Sequence, residues 1–349
     1  RVCRAGTNNC SHKCKHCRFV HISRLLQGNS TSKDRKKDEY NQNDIESIPS
    51  TSQSEDRIET PIPFSPLNNQ KVPKLGRLMC SPSFHGGNSF FNRIRYSYSM
   101  MALSRRATEL TTLHHNFHPI LTFNGTFPLI AATITTTNVT SRSLVYSLFD
   151  FCNTAFEEFA SFSLQQKWFL LKNFKYSFFS LESAYRVFKD FTDAPPMLFM
   201  SLTTFLTEDT TGSFVGDQMG ESVRSDSEKY LSIYIRGDVH RCRNSISRLK
   251  PTEEEFMALL VLCCWNLENT EADTELMSIG ESNKRKVLSE LEEIYKRKGM
   301  TEYAPRLGEL LAITTFFQIT ADAMPLKLEM LRLHNIIDDN TFLYSVNKN

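Results

Sequence analysis

The sequence FASFSLQQKWFLLKNF, residues 159–174, lies near the middle of a 349-residue chain and determines the fold that we predict for it. Within and beyond this stretch, apolar residues recur at spacings of three and four, which is the period of one buried helix face. The face consists of Leu171, Phe174, Phe178, Leu181 and Tyr185. The pattern predicts a long helix inside a mostly α-helical domain.

Three later segments extend this prediction. In KPTEEEFMALLVLCCW, residues 250–265, Thr252 is predicted to be a helix N-cap and Glu255 its reciprocal partner in a capping box. NKRKVLSELEEIYKRKG predicts a further helix that stops at Gly299, and RLGELLAITTFFQI predicts one more. The segment KYLSIYIRGDV, residues 229–239, fits either a short strand or a frayed helix.

Composition divides the chain into three parts. Residues 1–28 are rich in cysteine and basic side chains, and residues 29–84 are rich in polar residues and poor in aliphatic ones. A segment of the second kind buries too little apolar area to offset its ordering entropy, so it is predicted to be a flexible hinge. Residues 85–349 contain most of the 26 phenylalanines and are predicted to form the helical domain.

Several classes of protein are disfavoured by the sequence. No apolar run is long enough for a membrane span, and the basic start has no apolar segment after it, which argues against a signal peptide. The nine cysteines, an odd number, favour a reducing compartment. Nucleophile-elbow, phosphate-loop and zinc-protease motifs are missing, so we predict no enzyme. The pair His114 and His115 is expected at the surface.

A cysteine cluster stands in CRAGTNNCSHKCKHCRF, residues 3–19, with the spacing Cys-x6-Cys-x3-Cys-x2-Cys. Thiolates at this density suit a tetrahedral zinc site, and a disulfide-bonded or an unfolded remnant are the alternatives. The predicted ligands are Cys3, Cys10, Cys14 and Cys17, and His12 or His16 could replace one of them. The basic residues Lys13, Lys15 and Arg18 favour thiolates and are predicted to contact DNA phosphates.

This cluster resembles the second zinc module in the DNA-binding domain of nuclear hormone receptors, especially the divergent receptors of nematodes. VCRAGTNNC and CKHCRF match the family pattern, whereas the loop from Cys10 to Cys14 is shorter and Ile22 stands where a cysteine is usual. The family reads bases through a first module, which would precede Arg1. We therefore expect a truncated chain that binds DNA weakly and without sequence preference.

The stretch 159–174 resembles the signature of nuclear receptor ligand-binding domains. That resemblance implies an all-α, three-layer helical sandwich around an apolar pocket for a small hydrophobic ligand, whose contact residues the sequence leaves unassigned. The signature positions are Phe159, Phe162, Gln166, Lys167, Leu170, Leu171 and Lys172.

The same resemblance implies a groove that binds coactivator or corepressor helices. Lys172 is the predicted basic clamp, with Lys167 nearby, and Asp338 and Asp339 are the acidic candidates. The C-terminal NIIDDNTFLYS resembles an activation helix, with a frayed amphipathic tail as the alternative. The helix at 303–320 resembles the one through which family members form homodimers or heterodimers.

These resemblances imply a ligand-regulated transcription factor of the nucleus with zinc as its cofactor. The alternative is a helical interaction scaffold that retains the receptor fold and acts through protein partners, without DNA or ligand.

Overall fold

The computed structural model describes residues 75–78, 89–114, 126–216, 221–267 and 270–346. The four predicted zinc ligands, the three predicted phosphate-contacting residues and most of the predicted hinge lie outside these ranges, so those assignments stay predictions.

Eleven α-helices are seen in the described residues, and a 3-10 turn, Glu157–Ser161, precedes the third of them. They are α1 (Phe90–Leu113), α2 (Ile134–Ala155), α3 (Leu164–Asp190), α4 (Thr211–Val215), α5 (Glu221–Tyr234), α6 (His240–Leu249), α7 (Glu253–Cys264), α8 (Thr274–Arg297), α9 (Ala304–Asp322), α10 (Met324–Leu333) and α11 (Phe342–Ser345). The prediction of a mostly α-helical domain is confirmed for the described residues.

Five short strands, one before α1 and four between later helices, were not anticipated by the sequence analysis. They are β1 (Leu75–Arg77), β2 (Thr126–Pro128), β3 (Ile130–Ala131), β4 (Met197–Phe199) and β5 (Thr204–Thr207). β1 and β2 pair antiparallel, while β5 pairs parallel with β3 and antiparallel with β4. β1 lies within 29–84, the range predicted as the hinge.

Helix α3 begins inside the signature stretch, at Leu164, and is buried along most of its length. Ser163 is its N-cap: the Ser163 side chain accepts from the Gln166 amide at 3.2 Å, and Gln166 Oε1 accepts from the Ser163 amide at 2.9 Å. All five residues of the predicted apolar face are at most 5% exposed. The periodic pattern therefore identified the central helix correctly.

The helices pack in three layers, with α3 and α7 in the middle. Helices α1 and α2 pack against each other on one side, and α6 and α9 contact α3 on the other, with α8 beside α7. Helix α7 is buried on every face, as expected for a helix that is hydrophobic all round. Its predicted capping box is present, because the Glu255 amide donates to Thr252 Oγ1 at 3.2 Å and Glu255 Oε2 accepts from the Thr252 amide at 2.8 Å.

Two local predictions need correction. Of the two alternatives for residues 229–239, the helix is correct and the strand is wrong. The helix is not frayed, because α5 continues through a π-helical segment, Ile235–Val239, directly into α6. His114 is buried, with 9% exposure, at the end of α1, although it was expected at the surface. Its burial lowers the pKa of the imidazole.

A buried polar network connects α1, α3 and the β4–β5 turn. Arg105 on α1 contacts both carboxylate oxygens of Glu182 on α3 at 2.8 Å, and Tyr98 donates to Glu182 at 2.9 Å. Glu109 accepts from the backbone amides of Leu202 and Thr203 at 3.1 and 2.7 Å. This network fixes the β4–β5 turn, whose strands form one wall of the cavity described next.

Candidate functional site

A largely apolar cavity of about 90 Å³ lies between α2, α3, β4, β5, α5, α10 and α11. Its walls include Leu144 and Val145 from α2, Phe179 from α3, Leu206 from β5 and Leu328 from α10. It is separate from the main core around α3 and α7, which is filled by side chains. An apolar cavity with a few polar groups is the usual form of a small-molecule site.

Lys175 of α3 is the most unusual polar group in this cavity. The residue is 5% exposed, and its Nζ lies 4.7 Å from the centre of the Tyr176 ring. Burial, and then the positive charge of Lys172, lower the pKa of Lys175 to about 7. An amine with this pKa is partly neutral at physiological pH.

A second lysine of the cavity wall, Lys327 on α10, is in a different situation. Its Nζ lies 2.6 Å from Asp238, a residue of the π-helical segment. π-Helical turns often occur at functional sites because they change the direction of a side chain relative to the rest of the helix. Here the segment places Asp238 against α10 and keeps Lys327 in an ion pair.

The C-terminal helix α11 covers one side of the cavity. The Phe342 amide donates to Asn138 Oδ1 at 2.6 Å, and the Arg142 guanidinium lies 5.1 Å from the Phe342 ring centre. The Tyr344 hydroxyl donates to Glu329 of α10 at 2.6 Å. The tail is therefore anchored to both α2 and α10, which argues against a frayed end.

Of the two groove residues predicted on α3, Lys172 shares a face of the helix with Leu164 and Trp168, and Lys167 does not. Leu164, Trp168 and Lys172 follow each other at intervals of four, so they share a face. Leu164 is 56% exposed, and Lys172 is half-buried. Lys167 instead turns back toward the preceding 3-10 turn, where its Nζ donates to the Ala160 carbonyl at 3.0 Å.

The two predicted acidic residues lie in the turn before α11. Asp338 accepts from the Asn340 amide at 2.8 Å and from Thr341 Oγ1 at 3.1 Å, so it stabilises the turn. Asp339 lies 3.8 Å from Arg332, and its side chain is 62% exposed. The more accessible carboxylate of the pair is therefore Asp339.

The helix predicted at 303–320 is α9. Two of its large apolar residues point outward, since Leu311 is 43% and Ile319 is 65% exposed.

No helix in the described ranges is both long and apolar enough to cross a membrane. The same ranges hold no group of three or more His, Cys, Asp or Glu side chains suited to a metal ion.

Residues 128–334 match the family model for the ligand-binding domain of nuclear hormone receptors. The chain belongs to the nuclear hormone receptor family. A relative from Caenorhabditis elegans, the "High zinc activated nuclear receptor protein", is 26% identical over 169 residues. The match covers 47% of this chain and 41% of the relative, so the chain spans less than half of that receptor's length. The cavity thus lies within a receptor ligand-binding domain.

Sequence reasoning missed Lys175 and Thr137, which both line this receptor's cavity. Lys175 had a detectable signal, because it stands four residues after Leu171 and next to Phe174 on the buried side of α3. A lysine at such a position has to be paired, neutral or next to a cavity. Thr137 had no comparable signal, since threonine is common on helix surfaces.

Proposed function

We propose that this chain is part of a transcription regulator of the nucleus, in which a small hydrophobic ligand controls the binding of coregulator helices. The observation that supports this best is the position of α11, which covers the apolar cavity and is anchored to α2 and α10. A ligand in the cavity would contact the inner side of α11. Filling the cavity would therefore favour one position of the tail over others.

The coregulator surface of this proposal is the α3 face formed by Leu164, Trp168 and Lys172. Leu164 offers an exposed apolar contact, and Lys172 offers a positive charge to the C-terminal carbonyls of a docked helix. Asp339 is the proposed acidic partner at the other end, with Asp338 holding the turn. The outward apolar residues of α9 support dimer formation through that helix. Nuclear receptors are generally transcription regulators without enzymatic activity, and we propose no catalysis here.

We expect Lys172→Ala to weaken the binding of a leucine-rich helical peptide several-fold. A charge-assisted contact at a helix end contributes on the order of 1–2 kcal/mol when partly buried. The measurement is fluorescence anisotropy of a labelled peptide titrated with the full chain. Lys189→Ala is the matched control, because Lys189 is exposed at the opposite end of α3.

Equal peptide affinity for the parent and the Lys172 variant would contradict the groove assignment. Absence of peptide binding to either protein would favour the scaffold alternative. Circular dichroism of both variants separates a loss of contact from a loss of fold.

We further propose that the cysteine cluster binds one zinc ion and that the basic residues beside it contact DNA phosphates. Four thiolates form a donor set suited to tetrahedral zinc, and lysine and arginine bind phosphate without reading sequence. The proposed ligands are Cys3, Cys10, Cys14 and Cys17, and the proposed phosphate contacts are Lys13, Lys15 and Arg18.

For the zinc site we expect one equivalent of zinc in the purified full chain, and its loss in Cys10→Ser. Removal of one thiolate leaves an incomplete tetrahedral set, which lowers affinity strongly. Atomic emission measures the zinc content, and Cys80→Ser serves as the control because Cys80 lies outside the cluster. Zinc content below one tenth of an equivalent in the parent would contradict the site.

A further inference from the structure

The cavity contains a primary amine whose surroundings keep it partly unprotonated. Lys175 is almost fully buried, with aromatic rings of Tyr176 and Trp168 at 4.7 and 6.0 Å from its Nζ. Burial and the neighbouring Lys172 together lower its pKa to about 7. A lysine that is desolvated beside another cation is a known arrangement for an amine that attacks carbonyl groups.

The other titratable groups of the cavity wall leave this amine as its reactive centre. Lys327 is already paired with Asp238, whose carboxylate lies 2.6 Å from the lysine Nζ. Burial raises the pKa values of Tyr230 and Tyr234, so both phenols stay neutral at physiological pH. A pKa of about 7 lets the Lys175 amine change protonation near neutral pH.

A second observation indicates a polar atom on the ligand. Thr137 of α2 lines the same cavity and is 2% exposed. Within the described residues, its Oγ1 has no hydrogen-bonding partner. The next threonine on the helix, Thr140, shows the usual arrangement, since its hydroxyl donates to the Thr136 carbonyl at 2.9 Å. A buried hydroxyl without a partner costs free energy, which a ligand oxygen accepting from Thr137 would recover.

We propose that the cavity takes a short-chain aliphatic aldehyde and that Lys175 joins it covalently as an imine, with Thr137 donating to the aldehyde oxygen as it enters. This inference rests on the proposed function, since it names a ligand class for the same cavity. The volume of about 90 Å³ is below the ~150 Å³ of a cavity that holds benzene. A short alkyl chain therefore fits, whereas a longer one requires α11 to move.

Imine formation needs only the Lys175 amine and the aldehyde, and it releases one water molecule. The lone pair of the neutral Lys175 nitrogen attacks the carbonyl carbon, a carbon–nitrogen bond forms, and one proton moves from nitrogen to oxygen. The resulting carbinolamine then loses its hydroxyl together with the second nitrogen-bound proton as water, leaving the carbon–nitrogen double bond. No oxidant or reductant takes part. Hydrolysis reverses the step, so the adduct would respond to the concentration of the aldehyde.

The test traps the imine with cyanoborohydride after butanal is added to the full chain at pH 7, and peptide mass mapping then locates the butyl groups. An ordinary lysine with a pKa of about 10.4 is neutral about a thousandfold less often than an amine with a pKa near 7. Since lower basicity also lowers nucleophilicity, we expect butylation of Lys175 at least about tenfold above that of any exposed lysine.

Two variants complete the experiment. Lys175→Met replaces the amine with an apolar side chain of similar length, so the protein should lose its dominant site of butylation. Lys189→Met is the control and should leave the butylation of Lys175 unchanged. The mapping on the parent protein needs no variant, so it remains decisive if Lys175→Met fails to fold. Label spread evenly over the exposed lysines, or tight butyrate binding without any trapped butanal, would overturn the proposal.

The outcome is separable from that of the proposed function. An adduct on Lys175 with no peptide binding would support the imine and contradict coregulator recruitment. Peptide binding that depends on Lys172, without an adduct on Lys175, would support coregulator recruitment and contradict the imine.

Discussion

Glu182→Ala should lower the free energy of unfolding by about 3–5 kcal/mol, because it leaves a buried guanidinium without its carboxylate. The side chains of Arg105 and Glu182 are 3% and 5% exposed, and Arg105 contacts both oxygens at 2.8 Å. The same change also removes the acceptor of the Tyr98 hydroxyl, which lies 2.9 Å from Glu182. Urea unfolding of the full chain, followed by far-ultraviolet circular dichroism, measures the loss.

A matched control for Glu182 uses an exposed ion pair. Lys229 and Asp226 lie 3.6 Å apart with side chains that are 71% and 69% exposed. Asp226→Ala should therefore change the unfolding free energy by no more than about 1 kcal/mol. If Glu182→Ala had as small an effect as this control, the buried network would not be a main source of stability.

Phe256→Ala should cost about 3–5 kcal/mol, because it opens a cavity in the middle layer. The Phe256 ring is stacked on Tyr185 of α3, with ring centres 4.0 Å apart and an interplanar angle of 3°, and it meets the edge of Tyr98 at 5.5 Å. These contacts join α7 to both α1 and α3. Removal of the Phe256 ring thus weakens the packing between α7, α1 and α3. Urea unfolding, as for Glu182→Ala, measures the loss of unfolding free energy.

Two control variants show whether the loss in Phe256→Ala comes from the cavity in the core. Phe256→Leu keeps most of the volume and should cost less than the alanine change. Leu311→Ala, at a residue that is 43% exposed, should stay within about 0.5 kcal/mol of the parent. A small loss for Phe256→Ala would mean that α7 is not the packed centre of the domain.

The two large predictions share Tyr98, which contacts both Glu182 and Phe256. Residues with a common partner seldom contribute independently to stability. We therefore expect the double variant to differ from the sum of the single changes, which a double-mutant cycle measures directly.

Local chemistry explains why the helical core could be predicted from the sequence. The apolar face of α3 and the capping box at Thr252 depend on residues within one or two turns of each other, so their pattern is visible in the printed sequence. The family signature added the three-layer arrangement, which periodicity alone does not specify.

Long-range contacts explain what the sequence analysis missed. Strands β4 and β5 are short, and the turn between them is held by Glu109, more than ninety residues earlier in the chain. The π-helical segment and the burial of His114 depend in the same way on surrounding packing. Lys175 was on the buried side of α3 by its spacing, yet only the folded chain shows that this side lines a cavity.

The most direct test of the account is amide hydrogen exchange of the full chain with and without a saturating leucine-rich helical peptide. The proposed groove involves the face of α3 that carries Leu164, Trp168 and Lys172, together with the turn that contains Asp339. We predict added protection in the first three turns of α3 and in residues 338–346, with no change in α9 or α10 before Leu331. Protection confined to α9, or no protection at saturation, would contradict the receptor groove.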